Sequence, residues 1–137
     1  MNAQMLPNPA REALGGAPQA ARGRVVIVDN DPELLDLVST DLRLEGWDVV
    51  AAVRDGMQAV TACLELHPDV LVADYRMPLG LNGLQVISRV RALAPSVRVI
   101  LYTNYRASKL AEQARQLGAA YLVKGELATL RAWLAQG

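Results

Sequence analysis

Asp29, Asp74, Thr103 and Lys124 are scattered over a chain of 137 residues, yet each stands directly after a short apolar run. Asn30 and Asp31 follow Asp29, Asn104 follows Thr103, and Arg54 and Asp55 close another such run. Two or three neighbouring carboxylates can hold Mg²⁺, a hard cation that prefers oxygen. Without a metal, their mutual repulsion raises at least one carboxyl pKa. A lysine ammonium relieves that repulsion and grips a phosphoryl oxygen as a point charge. A threonine hydroxyl can donate to a second oxygen, and an aspartate can attack phosphorus. The set Asp, Asp, Thr, Lys therefore reads as a site for making an aspartyl phosphate, provided the fold gathers it.

The intervening segments alternate between two periods. Short β-branched runs predict strands over 25–28, 49–53, 70–73, 97–102 and 121–123. Helical spacing of apolar residues predicts helices over 32–45, 56–67, 84–93, 109–117 and 127–135, with Gly46, Pro68, Pro95 and Gly118 as stops. Five strand–helix pairs predict an α/β fold, a doubly wound parallel sheet with helices on both faces. Ligands of such sheets bind outside the carboxyl ends of the strands, where the polar residues fall.

Composition narrows the function. Lys+Arg and Asp+Glu both number 14, so no net basic charge points to nucleic acid or an anionic membrane. No apolar run reaches the ~18 residues of a membrane span. The single Cys63 excludes an internal disulfide and a cysteine-cluster zinc site, in keeping with a cytoplasmic setting. Residues 1–23 hold three of the seven prolines and three of the ten glycines, and are expected to form a flexible tail ahead of a domain over 24–137. Several polar residues also have structural explanations. Asp31 before Pro32 is a good helix N-cap. Cys63 has helical spacing from Ala59 and Leu66 and reads as core. His67 ends a helix, where a cation is mildly favoured.

The ordered pieces "VVIVDND", "VLVADYRMP", "VILYTN" and "YLVKG" resemble the receiver domain of bacterial response regulators, over about residues 24–133. The resemblance implies a flavodoxin-like sheet of order 2-1-3-4-5. It implies that Asp74 is phosphorylated by a partner histidine kinase or phosphotransfer protein. Asp29, Asn30, Asp74 and the backbone carbonyl of Arg76 would be the Mg²⁺ ligands. Thr103 would be the switch hydroxyl, Tyr121 the aromatic that changes rotamer with it, and Lys124 the phosphate-contacting lysine. Three departures stand out. Asn30 occupies the place of a second acid, so Mg²⁺ affinity should fall. Gly125 replaces the proline common after the lysine, so a cis peptide is not expected there. The loop "PLGLNG" is one residue longer than usual.

The resemblance also implies a face of the fourth helix, fifth strand and fifth helix that binds a partner or a second copy. No direct nucleic-acid or membrane contact is expected. Nothing after the fifth helix resembles an output domain, which fits either a stand-alone receiver or a piece of a longer regulator. Two alternatives compete with a phosphorylated switch having only weak chemistry of its own. One is a receiver whose site has decayed into a phosphorylation-independent binding module, for which Asn30 speaks. The other is a haloacid-dehalogenase-type phosphatase using Asp29, for which the chain is short. The first βα turn has no G-x-G-x-x-G, which argues against a dinucleotide-binding domain.

Overall fold

The computed structural model describes residues 22–125 and 127–136. Five strands alternate with five helices: β1 Arg24–Val28, α1 Pro32–Leu44, β2 Asp48–Val53, α2 Gly56–Leu66, β3 Val70–Ala73, α3 Gly83–Leu93, β4 Arg98–Thr103, α4 Ser108–Gln116, β5 Ala120–Val123 and α5 Leu127–Ala135. All strand pairs are parallel, in the order β2-β1-β3-β4-β5. This is the doubly wound topology expected. Boundaries move by a residue or so. The fourth strand starts at Arg98 rather than Val97, because the Val97 amide turns back to the Ala94 carbonyl.

The unbroken apolar strands are explained by what covers them. Val26, Val28, Leu71, Ala73, Val99 and Leu101 face one way, into a core with α2, α3 and α4. Their neighbours Val25, Ile27, Val70, Val72, Ile100 and Tyr102 face the other way, against α1 and α5. A strand buried on both faces needs apolar side chains at every position.

Helix starts follow local chemistry. Asp31 Oδ1 accepts from the Glu33 and Leu34 amides at 3.0 and 3.4 Å, so Asp31 caps α1. Asp55 caps α2, and Asn82 with Gln85 forms a reciprocal capping box on α3. His67 takes a left-handed conformation, φ 50°, at the end of α2. The expected tail lies outside the described residues up to position 21. Arg22 and Gly23 are tied to the sheet: the Arg22 amide donates to Gly46 O at 3.0 Å, and Asp48 N donates to Gly23 O at 2.9 Å. No helix among the described residues is long and apolar enough to cross a membrane.

Candidate phosphoryl-acceptor site

Strand register brings the site together. Val28 pairs with Ala73, and Thr103 pairs with Val123. The ladder runs one step past each pair: Asp74 N donates to Val28 O at 3.0 Å, and Lys124 N donates to Thr103 O at 2.9 Å. Asp29, Asp74 and Lys124 are therefore delivered to the same carboxyl edge of the sheet. Asp29, Asn30, Asp74, Arg76, Thr103 and Lys124 line one pocket.

Lys124 is the centre of that pocket. Its Nζ lies 2.6 Å from Asp29 Oδ2 and 3.3 Å from Asp74 Oδ1, and all three side chains are at most 8% exposed. The other oxygen of Asp29 accepts from the Asp31 amide at 2.9 Å, and Asp74 Oδ1 accepts from the Tyr75 amide at 2.9 Å. Burial pushes the Asp74 carboxyl above its usual range, and the Asp29 charge pushes it further; Lys124 and the Thr103 hydroxyl pull it partly back. A carboxylate held in this state gains from any added cation.

Two features of the loop after β3 hold Asp74 in place. Gly83 N donates to Tyr75 O at 2.9 Å. A Cβ at Gly83 would lie 2.1 Å from the Asp74 carbonyl oxygen, so only glycine allows α3 to start this close beneath the strand end.

The other expected residues are placed as follows. Asp31 spends its carboxylate on the α1 cap. Tyr121 does not line the pocket; its hydroxyl donates to the Tyr105 carbonyl at 2.8 Å. No cis peptide occurs among the described residues. Cys63 is fully buried, its thiol pushed up to about 12 by burial, and it takes no part in the site.

Sequence reasoning missed Tyr105. Its ring stacks on Tyr75, centroids 5.4 Å apart, and the Arg76 guanidinium carbon lies 4.2 Å above it. Its amide donates to Thr103 Oγ1 at 3.2 Å. Its position two residues beyond Thr103, just outside a predicted strand end, was the available signal.

The donor set suits a hard cation. Asp29, Asp74, the Asn30 amide and the Arg76 carbonyl are all oxygen donors, and Mg²⁺ commonly uses one or two carboxylates with water. Both carboxylates already share one buried ammonium, which fits a pocket built for positive charge. The charge count is low: among the described residues, no group of three His, Cys, Asp or Glu side chains could hold a metal ion.

The molecule is a five-stranded parallel α/β domain with a buried Asp–Lys–Asp cluster at its strand ends. A family model described as the response regulator receiver domain matches residues 25–132, and the chain belongs to that family. The DNA-binding response regulator MtrA of Mycolicibacterium smegmatis is 44% identical over 71 residues, covering 52% of this chain and 30% of that protein. The transcriptional regulatory protein LnrK of Bacillus subtilis is 33% identical over 103 residues, covering 74% of this chain and 46% of that protein. The chain thus spans less than half the length of these curated relatives. Among solved structures, the signal receiver domain of the putative response regulator NarL from Mycobacterium tuberculosis superposes with TM-score 0.77 at 32% identity, covering 85% of this chain and 98% of that one. The CheX–CheY–BeF₃–Mg²⁺ complex of Borrelia burgdorferi, at 21% identity and TM-score 0.76, shares the fold, covering 82% of this chain and 87% of that one.

Proposed function

We propose that this domain is a phosphorylation-controlled switch of two-component signalling, with Asp74 as the acceptor. The carrying observation is Lys124 Nζ held between Asp29 and Asp74 in a buried pocket at the strand ends. The donor is a histidine kinase, a phosphotransfer protein or a small molecule such as acetyl phosphate. An Asp74 oxygen attacks phosphorus; the new O–P bond forms as the donor's P–N or P–O bond breaks, and the imidazole or acetate leaves with the bonding pair. Lys124 faces the transferred group with its ammonium, and Thr103 offers a hydroxyl to another of its oxygens. Asp29, Asn30, Asp74 and the Arg76 carbonyl would hold Mg²⁺, which when bound neutralises charge on the phosphoryl oxygens. Water later removes the group, so the domain's own chemistry stays slow and its role is signalling.

The added charge of roughly −1.5 to −2 shifts a pre-existing equilibrium of the pocket. Tyr121, bonded to the residue that also bonds Thr103, supports a readout through the face of α4, β5 and α5 toward a partner or second copy. A cytoplasmic setting belongs to the same reading, which holds equally for a stand-alone receiver and for a piece of a longer regulator. Asp29 is held on one oxygen by Lys124 and on the other by the Asp31 amide, and the match of residues 25–132 to the receiver family favours the switch over a phosphatase using Asp29.

Incubation with acetyl phosphate and Mg²⁺ should give one labile phosphoryl adduct by intact mass, absent in Asp74→Ala. Borohydride trapping and peptide mapping should place it at Asp74. A label on Asp29 would transfer the case to phosphatase chemistry. No adduct from any donor would leave a phosphorylation-independent binding module, the outcome that Asn30 favours.

A further inference from the structure

The pocket carries a second cation that none of its carboxylates holds. Arg76 lines it and takes part in none of the ion pairs among the described residues. Its guanidinium rests instead on the Tyr105 ring, 4.2 Å from the centroid, and that ring is stacked on Tyr75. Arg76 and Tyr105 are both exposed, so this contact is a weak hold. A cation on an exposed aromatic face is favoured only about two- to fivefold.

Charge in the pocket gives that arginine somewhere better to go. Before phosphorylation, Asp29 and Asp74 are offset by Lys124 alone, and Asn30 adds nothing. An acyl phosphate on Asp74 would carry roughly −1.5 to −2 in the same place. Lys124 is already bonded to Asp29 at 2.6 Å. A guanidinium matches phosphate geometry with two parallel donors, and a charge-assisted hydrogen bond favours the bound state by about tenfold or more.

We propose that Arg76 is a second phosphoryl-binding residue, stored on Tyr105 at rest and transferred to a phosphoryl oxygen when Asp74 is modified. This rests on the reading of Asp74 as acceptor. The transfer strips the Tyr75–Tyr105 stack of its cation in the same step. Tyr105 meets Thr103 through its amide and Tyr121 through its carbonyl, so the ring that loses Arg76 belongs to the residue joining those two side chains. Both of those bonds use the Tyr105 main chain, so a side-chain change at 105 spares them.

The test uses the full chain with beryllofluoride and Mg²⁺ as the phosphoryl mimic, read by calorimetry and by NMR of the Arg76 Nε–H. Wild type should bind, with the Arg76 signal leaving its ring-shifted position for a hydrogen-bonded one. Arg76→Gln should bind at least about two- to fivefold more weakly, the tenfold or larger gain less the rest contact given up. Tyr105→Leu should bind two- to fivefold more tightly, because the competing rest position is gone. Equal binding by Arg76→Gln and wild type, or an unmoved Arg76 signal while Lys124 shifts, overturns the Arg76 role and leaves Asp74 as acceptor. No binding by wild type, or undiminished binding by Asp74→Ala, sinks both.

Discussion

Replacing Lys124 with methionine removes the only ammonium from a pocket where it touches two carboxylates, at 2.6 and 3.3 Å. The facing oxygens of Asp29 and Asp74 are then no more than about 6 Å apart, and at an effective dielectric of about 20 their repulsion is about 3 kcal/mol. Loss of the two charge-assisted contacts adds to this, and breaking a buried pair typically costs about 3–5 kcal/mol. Protonation sets a ceiling. Asp74, whose ordinary value is 3.8, can escape the repulsion by taking a proton. At about 1.36 kcal/mol per pH unit, that escape limits the penalty to about 4 kcal/mol at pH 7 and about 1.6 kcal/mol at pH 5. The sign follows from the upward shift. The folded state holds this proton more tightly than the unfolded chain, so the penalty is full above the folded-state pKa and fades as pH falls toward the ordinary carboxylate range.

Urea unfolding of Lys124→Met, followed by the fluorescence of buried Trp47, should therefore show a loss of about 3–4 kcal/mol at pH 7 and about half of that at pH 5. Adding Asp74→Asn to the variant should restore most of the loss, because Asp29 then has no buried carboxylate facing it. A loss under about 1 kcal/mol at pH 7, or one that does not change with pH, would refute the claim that Lys124 is the counter-ion of both acids.

Asp74→Asn alone should raise the midpoint of thermal unfolding by a few degrees at neutral pH, the gain shrinking as pH falls, since the wild-type carboxyl is already shifted upward; calorimetric scans across pH check this. Asn30→Asp should tighten Mg²⁺ by roughly tenfold in titration calorimetry, through one more charged oxygen ligand. It should also destabilise the metal-free fold at neutral pH by adding a third carboxylate. Asp31→Ala should cost about 1 kcal/mol in urea unfolding through the lost α1 cap. Its Mg²⁺ affinity should stay within about twofold, and a tenfold drop would make Asp31 a ligand as well as a cap.

Local patterns in the chain were enough for much of this molecule. Val25–Val28 and Val70–Ala73 declare strands covered on both sides, because no position in them is polar. Asp31-Pro32 declares a helix start, and its carboxylate does cap α1. Such signals act over a few residues and survive without tertiary context. The order in which acids, alcohol and amine follow the strands was legible in the same way. The contact between Lys124 and Asp29 was not, because it spans 95 residues and exists only once β1, β3, β4 and β5 pair in their particular order and register. Nothing local marks Gly83 as necessary; the need for glycine there comes from α3 starting against the Asp74 carbonyl. Arg76 and Tyr105 follow different strands and share no spacing, yet the parallel pairing of β3 with β4 sets one above the other. Short-range chemistry chose the elements; side chains distant in sequence became neighbours only through strand order, because hydrogen-bonded register decides which carboxyl-terminal ends meet.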